Sequence, residues 1–441
     1  MQNKKKSISF WSAVSMGIGA MVGAGIFALL GQAGQIAGSA VWISFFLGGI
    51  IALLSGYSMG KLGARFPSAG GIVEYLVQGY GENIFSGAIS VMMYISALVS
   101  ISLIARTFGT YAYHLFLPNQ PHIFVEVFAA FIVLFFMFIN LRGPSSMTKI
   151  EKIIVLIKMI ALGIFAIAGL VTMDSSKLSP STYPQIDMIF FSLAITFFAY
   201  EGFRIITNTA EDMENPSKTL PRAILTSILI VMVFYIAIAF AVFGNLNINE
   251  VIKAQDYALA EAARPSFGAI GFTIMALVAL LSTSSAINAS LYSATNVTYQ
   301  LAKLGELPKQ FEKQVANSRQ GLIISSAIIL VMALFFDLSS IAAIGAVSTL
   351  AIHTIVHIGH IKIIKKTNAS LLLILTAIIV NIIAISFSVI YLFSKNPIII
   401  IWIVGFFISA FCIEIILRVF SKRVILKHKY NSKKMKNNKP S

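Results

Sequence analysis

The sequence predicts an all-α, polytopic membrane protein. Hydrophobic residues make up 57% of the chain and charged residues only 11%, a more apolar balance than soluble domains have. Apolar runs repeatedly reach the length of about 18 residues at which a helix can cross a bilayer. Twelve spans are predicted, at 10–37, 40–63, 85–114, 122–141, 150–173, 184–210, 221–244, 267–300, 320–336, 338–361, 370–393 and 397–420.

The basic residues lie mainly on one side of these spans. The chain has 33 lysines and arginines and a net charge of +16, yet the odd-numbered loops hold only Lys177, Lys253, Arg264 and Lys395. Cytoplasmic loops carry the excess of Lys and Arg in membrane proteins, so both termini are predicted to be cytoplasmic. The charge indicates contact with anionic lipid rather than with nucleic acid, above all in the basic tail 421–441.

A glycine-dense tract, 16–27, lies inside the first span. Its glycines, Gly17, Gly19, Gly23 and Gly25, each cost a helix about 1 kcal/mol relative to alanine. The tract therefore predicts a helix that is broken in mid-membrane, where the N-terminal end of the outer half would attract a carboxylate. The alternative is close helix packing through small residues, and the tract alone does not decide between the two.

The sixth span contains a second candidate interruption. Glu201 and Arg204 form an ionisable pair in mid-membrane, and Gly202 follows the carboxylate. Three residues apart, the two charges can simply neutralise each other on one helix face. A glycine beside the carboxylate also suits an unwound turn that faces a cavity, and both interpretations stay open.

Lys158 lies two turns inside the apolar fifth span. An ammonium at that depth costs at least about 2.5 kcal/mol unless something solvates it. A desolvated lysine loses its proton more easily, so Lys158 is a candidate proton carrier. The alternative is a structural lysine whose stem reaches to the cytoplasmic face.

Two other polar sets within spans are interpreted as structural. Arg106 in the third span is expected to reach outward and pair with Glu126. His353, His357 and His360 share a face of the tenth span at spacings that permit a metal site. No carboxylate or cysteine accompanies them in sequence, so they are expected at the cytoplasmic interface and no metal is predicted.

The two interruptions suggest an internal repeat. They occur five spans apart, so the two segments cross the membrane in opposite directions, as inverted repeats with a midplane substrate site require. We therefore divide the chain into a tail (1–9), two five-helix repeats (10–173 and 184–361), two peripheral helices (370–420) and a basic tail (421–441).

The sequence also resembles amino acid permeases of the amino acid, polyamine and organocation superfamily. The resemblance covers nearly all of the chain and is carried by Gly17–Phe27, Phe197–Phe203, Ala210–Pro216 and Leu301–Pro308. It implies an inverted five-plus-five, LeuT-like fold with broken helices one and six. Within the family the chain is most similar to archaeal, sodium-independent, proton-coupled permeases of broad specificity. The resemblance therefore implies a transporter in a prokaryotic plasma membrane, with no enzymatic activity, cofactor or obligatory protein partner.

The resemblance also implies the residues of the site. Lys158 would occupy the place that sodium takes in related symporters, near the Gly19 carbonyl and the Thr283 hydroxyl. The substrate carboxylate would meet backbone amides, and the amino group backbone carbonyls, of two segments. These substrate-site residues are Gly19, Ala20, Gly23, Ala24 and Gly25 in the first span and Phe198, Ala199, Glu201 and Gly202 in the sixth.

The expected function is import of amino acids with protons by alternating access, without sodium. An amino acid exchanger with Lys158 as a fixed cation is the alternative, and a substrate-sensing receptor is a third possibility. Many relatives have an uncharged residue at the position of Glu201. Its carboxylate is thus open to three roles, namely binding a cationic substrate, carrying a proton or pairing with Arg204.

Overall fold

The computed structural model describes residues 8–68, 70–142, 147–213, 215–303, 311, 313–316 and 318–421. Most of both predicted tails and most of the segment 301–308 lie outside the described residues. Apart from a two-residue strand pair, β1 (Gln314–Val315) and β2 (Ser318–Arg319), the described elements are helices. They are α1 (Phe10–Ala37), α2 (Val41–Arg65), α3 (Ile72–Tyr80), α4 (Ile84–Phe116), α5 (Ile123–Leu141), α6 (Met147–Thr172), α7 (Ile186–Phe191), α8 (Leu193–Ala199), α9 (Arg204–Thr207), α10 (Pro216–Asn245), α11 (Ile248–Lys253), α12 (Ala258–Glu261), α13 (Arg264–Lys303), α14 (Gln320–Phe335), α15 (Leu338–Lys362), α16 (Ile364–Thr367), α17 (Leu371–Lys395) and α18 (Pro397–Ser421), with short 3₁₀ turns between some of them.

Each predicted span corresponds to a helix or to a series of short helices. By length and composition, however, the described residues contain ten candidate membrane spans rather than twelve. The apolar helix Gln320–Phe335 is shorter than 18 residues, whereas α1 is one helix of 28 residues. The fold is that of an all-α polytopic membrane protein.

The predicted break in the first span is wrong for this structure. α1 is one helix from Phe10 to Ala37, and its glycines serve close packing. A Cβ atom on Gly23 would lie 2.4 Å from the Ala286 Cβ of α13, and one on Gly25 would lie 2.3 Å from the Ala199 carbonyl oxygen. These close helix contacts offset the helix cost of the glycines, so no unwinding is needed.

The sixth span is interrupted, as its sequence predicts. After α7 and α8 the chain makes a 3₁₀ turn at Glu201–Phe203 and then only the single helical turn of α9. Gly202 lies against α1, where a Cβ atom would come within 2.3 Å of the Met21 nitrogen. Glycine at this position therefore lets the two backbones meet, and the two tracts singled out in the sequence are in contact.

The longest helix, α13, is bent near its start. Gly268 has a φ of 65°, a conformation that glycine adopts without the penalty of a side chain. The apolar part of α13 thus begins after this residue and packs against α1, α4 and α6. Ser290 and Ser293 of α13 thereby come to line the central cavity.

Candidate substrate and proton site

A cavity lies between α1, the broken sixth span, α4 and α13. Its volume of about 110 Å³ is several times the space that one water requires, so it can hold a small solute. Of the predicted substrate-site residues, Ala20, Phe198, Ala199, Glu201 and Gly202 line it. Its walls also include Ser290 and Ser293 of α13, which belong to a run of polar residues along the eighth span whose density favours a cavity wall or a cation site. Ser90 and Ser100 of α4 line it as well, and nothing in the sequence singles them out.

The remaining predicted substrate-site residues of α1 are not among those that line the cavity. Gly19, Gly23, Ala24 and Gly25 lie in the continuous helix. Gly23 packs on α13 and Gly25 on α8. Their amides are therefore inside a helix rather than at its N-terminus, where such groups are available to an anion.

Glu201 is held by two side chains. Its Oε1 atom accepts a hydrogen bond of 2.7 Å from the Nε of Arg204, so the predicted pair is confirmed. Its Oε2 atom lies 3.0 Å from the Nε2 of His353, on α15. The carboxylate is buried but still borders the cavity. The Arg204 guanidinium therefore neutralises a negative charge that lies beside the substrate space.

Lys158 is buried inside the protein, with only 1% of its surface exposed. Its Nζ atom donates a hydrogen bond of 2.7 Å to the Gly19 carbonyl, which links α6 to α1. The structural alternative required the side chain to reach the surface of the protein, and this burial excludes it. Proximity to Gly19 agrees with the arrangement that the resemblance implies.

The Thr283 hydroxyl is buried on α13. It donates within its own helix, at 2.7 Å from the Ala279 carbonyl and 3.2 Å from the Leu280 carbonyl. A hydroxyl that donates in this way keeps its lone pairs for a second partner. Thr283 is thus suited to accept a hydrogen bond, and its pairing with Lys158 stays a prediction.

The three histidines of α15 are buried in the protein. His353 and His357 have no exposed surface and His360 has 1%. The carboxylate that the sequence seemed to lack is Glu201, which is 152 positions away in the chain and comes from another span. Helix packing buries this face of α15, so the three side chains do not form an exposed set at the end of the span.

Tyr235 of α10 is a further residue that sequence reasoning missed. Its hydroxyl lies 2.8 Å from the Met21 carbonyl of α1 and 3.2 Å from the Ala199 carbonyl of α8. It thus joins the two segments that form one wall of the cavity. The signal that could have identified it is a tyrosine in the middle of an apolar span, because a buried tyrosine hydroxyl needs a hydrogen-bond partner.

A second polar set lies at the other end of the bundle from Lys61 and Lys362, near the start of α5. Arg106 and Glu126 form the predicted ion pair, at 2.7 Å. Nearby, Gln32 donates to Asp256 at 2.5 Å and accepts from Ser339 at 2.8 Å. Burial raises the pKa of the Asp256 carboxyl, although the Arg106 charge and the Gln32 hydrogen bond act in the opposite direction.

Comparisons with known proteins agree with these features. The chain matches the model of the amino acid permease family over residues 8–413. It is 39% identical over 436 residues to the uncharacterized protein MJ0609 of Methanocaldococcus jannaschii, which covers 98% of this chain and 99% of that protein. It is 34% identical over 418 residues to the inner membrane transport protein YbaT of Escherichia coli, covering 94% and 97%.

A more distant relative has an assigned substrate in its name. This is the serine/threonine exchanger SteT of Bacillus subtilis, with 28% identity over 309 residues, or 69% of this chain and 70% of that protein. The relatives with assigned activities are transporters and not enzymes. From the family match across nearly its whole length, together with the central cavity in a multi-span helical fold, this chain belongs to the amino acid permease family.

Proposed function

We propose that this protein imports amino acids together with protons, without sodium, by alternating access. Amino acid transport follows from the family, whereas coupling to protons rests on one observation. That observation is the buried ammonium of Lys158, which lies 2.7 Å from the Gly19 carbonyl. The substrate would occupy the cavity beside Ala20, Phe198 and Glu201.

The chemistry of this contact supports the coupling. A hydrogen bond from an ammonium is about twice as strong as one between neutral groups, so protonated Lys158 holds α6 firmly to α1. Loss of the proton weakens that link and frees α1 to move. Protonation on one side and release on the other then favour opposite orientations of the transporter.

The available energy is sufficient for accumulation. One proton contributes about 1.4 kcal/mol per pH unit and about 2.3 kcal/mol per 100 mV of membrane potential. One pH unit together with 100 mV would therefore concentrate a substrate several hundredfold, at about 1.4 kcal/mol for each tenfold. ATP is not required for this function.

The orientation is part of the same proposal. Both termini would be cytoplasmic in a prokaryotic plasma membrane, because the basic loops and the tail 421–441 favour that side. In this orientation the basic end of α15, with Lys362, faces the cytoplasm, and the tail contacts anionic lipid.

The second candidate is an amino acid exchanger, favoured by the similarity to the exchanger SteT. In an exchanger, Lys158 would be a fixed cation that never loses its proton. Uptake of labelled amino acid would then need amino acid on the opposite side of the membrane and would ignore the proton gradient.

Uptake into proteoliposomes distinguishes the two. A panel of labelled amino acids is offered in sodium-free buffer, with and without an inward proton gradient, to the native protein, Lys158→Ala and the control Lys253→Ala. Lys253 is an exposed lysine of α11. Gradient-driven accumulation that only Lys158→Ala loses supports symport, whereas uptake that depends on internal amino acid and ignores the gradient shows exchange.

A further inference from the structure

A row of buried polar side chains connects Glu201 with the basic end of α15. It begins at the sealed Oε2 atom of Glu201, 3.0 Å from His353, and continues to His357, one helical turn further along α15. The His353 and His357 ring centroids are 6.2 Å apart. The row thus leads away from the cavity and into the packed interior between α15 and α2.

A serine of α2 connects the next two histidines. The Ser58 hydroxyl lies 3.0 Å from the Nδ1 of His357 and 2.8 Å from the Nδ1 of His360. A hydroxyl has one proton to donate and lone pairs to accept, so it can receive a proton from one ring and give its own to the other. Ser58 is therefore placed to pass a proton between the two rings.

The row ends at the edge of the helical bundle. The Nε2 of His360 lies 2.8 Å from the Thr367 hydroxyl, and the next residue, Asn368, is exposed. Lys61 of α2 donates to the Asn368 carbonyl at 3.4 Å, which marks this as a charged, hydrated end. Among the described residues, Arg204 is the cation at the Glu201 end of the row, and Lys61 is the cation at the His360 end. Tyr80 of α3 packs on α15 beside the row, where its hydroxyl donates to the Ile355 carbonyl.

His353 has the properties of a moving member of such a row. Among the described residues, neither of its ring nitrogens has a hydrogen-bond partner of good geometry, although the side chain is completely buried. An unsatisfied buried polar group costs about 1–3 kcal/mol, and the Oε2 of Glu201 can serve only the Nε2 of this ring, which leaves its Nδ1 without a partner of good geometry among the described residues. Its ring packs against Phe197 and Phe203, which form no hydrogen bond that would oppose its rotation.

We propose that His353, His357, Ser58 and His360 form a proton path between Glu201 and the cytoplasmic end of α15. In each transfer an imidazole takes a proton at one ring nitrogen and gives up the proton of the other nitrogen. Every ring thus stays neutral overall and changes its tautomer, and ring rotation restores the starting state. The His353 ring turns between Glu201 and His357 to carry the proton across the gap. His357 receives it at Nε2, which exchanges its contact of 3.1 Å with the Ser55 hydroxyl for the incoming proton, and gives up the proton of Nδ1 to Ser58.

Beyond Glu201, which borders the cavity, the path is separate from the Lys158 contact and from the substrate space. Because the Oε2 of Glu201 is sealed from solvent, a proton on this oxygen leaves through His353 and not through the cavity. Protonation of Glu201 also weakens its pair with Arg204 and so loosens the interruption of the sixth span. This inference rests on the proposed proton coupling and adds a second protonated group to it.

The test measures proton movement and substrate movement together in liposomes that contain a pH-sensitive dye. The variants are Ser58→Ala, which removes only the connecting hydroxyl, and Ser44→Ala as the matched control. Ser44 is equally buried on α2, but its hydroxyl bonds to the Ile189 carbonyl and to Ser192. Counterflow of labelled substrate, which needs no net proton movement, reports whether each variant is still a working carrier.

We expect Ser58→Ala to lower the number of protons moved per substrate at least twofold while its counterflow stays near the native rate. Ser44→Ala should keep the native proton ratio. His360→Gln interrupts the path at the next member and should repeat the Ser58→Ala result, which covers the case in which Ser58→Ala does not fold.

Two outcomes overturn the path and leave the proposed function standing. In one, both path variants keep the native proton ratio. In the other, counterflow and proton movement fall together, as expected if the row only stabilises the α2–α15 contact. If the native protein moves no protons with its substrate, the proposed symport itself fails, and the path fails with it.

Discussion

Lys158 of α6 and Gly19 of α1 are 139 positions apart in sequence and are joined by a hydrogen bond of 2.7 Å in mid-bundle. The ammonium meets a backbone carbonyl, so no substitution at Gly19 can remove the acceptor itself. The link between these helices therefore depends on the protonation state and length of the lysine. Substitutions of Lys158 separate these two properties.

We expect Lys158→Met to keep the fold while abolishing gradient-driven accumulation. Methionine keeps most of the apolar stem, whereas Lys158→Ala leaves a buried space of the kind that costs about 2–5 kcal/mol in large-to-alanine substitutions. Thermal unfolding in detergent should therefore show Lys158→Met closer to the native protein than Lys158→Ala. If Lys158→Met accumulates substrate normally under a proton gradient, the lysine does not couple protons.

We expect Gly202→Ala to abolish transport. The new Cβ atom would lie 2.3 Å from the Met21 nitrogen and 2.5 Å from the Ala20 carbonyl carbon, and backbone atoms cannot rotate away. Overpacking of this kind costs about 1–3 kcal/mol and would separate α1 from the sixth span at the cavity. The control is Gly405→Ala in α18, where a Cβ atom meets nothing within 4 Å; comparable uptake by the two variants would contradict the close contact.

We expect Glu201→Gln to destabilise the protein by about 3–5 kcal/mol, the usual effect of removing one member of a buried ion pair. Arg204 would keep its charge in a largely buried position. Adding Arg204→Met should recover part of the loss in a double-mutant cycle measured by thermal unfolding. The exposed pair Glu261–Arg264 has the same spacing, and Glu261→Gln should cost less than about 1 kcal/mol. Equal losses at the two sites would show that the Glu201 pair is solvated.

We expect Asp256→Asn to raise stability at neutral pH and not at low pH. Burial raises the pKa of Asp256 in the folded protein, whereas in the unfolded chain the carboxyl ionises near its usual pKa of about 3.9. As the pH rises above that value, the unfolded state is therefore favoured, and the folded protein loses stability until the pH passes the raised folded-state pKa. Asparagine keeps an oxygen that can accept from Gln32 and does not ionise. Melting temperatures from pH 4 to pH 8 measure the difference between the two proteins.

Asp174→Asn provides a control of opposite sign. Asp174 is an exposed residue whose pKa is lowered, chiefly by the hydrogen bonds from Ser176. Its contribution to stability is therefore present above the usual pKa and is lost as the pH falls. A stability difference that grows with pH in the same direction for both variants would contradict the assignment for Asp256.

Much of the site could be predicted because charged and polar residues are rare within membrane spans. Lys158, Glu201 and Arg204 stand out against apolar neighbours, and the cost of burying a charge makes each of them informative. The interruption of the sixth span follows for the same reason, since Gly202 stands beside a buried carboxylate. Arg106 and Glu126 were matched because both lie near the outer ends of consecutive spans.

Other features could not be predicted from local sequence. The glycines of α1 are equally compatible with a broken helix and with a closely packed one, and only their neighbours, such as Ala286 and Ala199, decide for packing. His353 was expected at an interface because nothing near it in the chain is acidic. Its partner Glu201 comes from another span, and the rotation of α15 about its axis brings the two together.

The sequence by itself determined the membrane class, the approximate spans, the polar residues within them and the family resemblance, because hydropathy and motifs are properties of the chain read in order. Only the tertiary structure decided that α1 is continuous, that Lys158 reaches Gly19 and that three histidines extend from Glu201 to the end of α15. These relationships depend on which faces of distant helices meet. Apolar spans pack through shape and small residues, and hydropathy does not encode that choice.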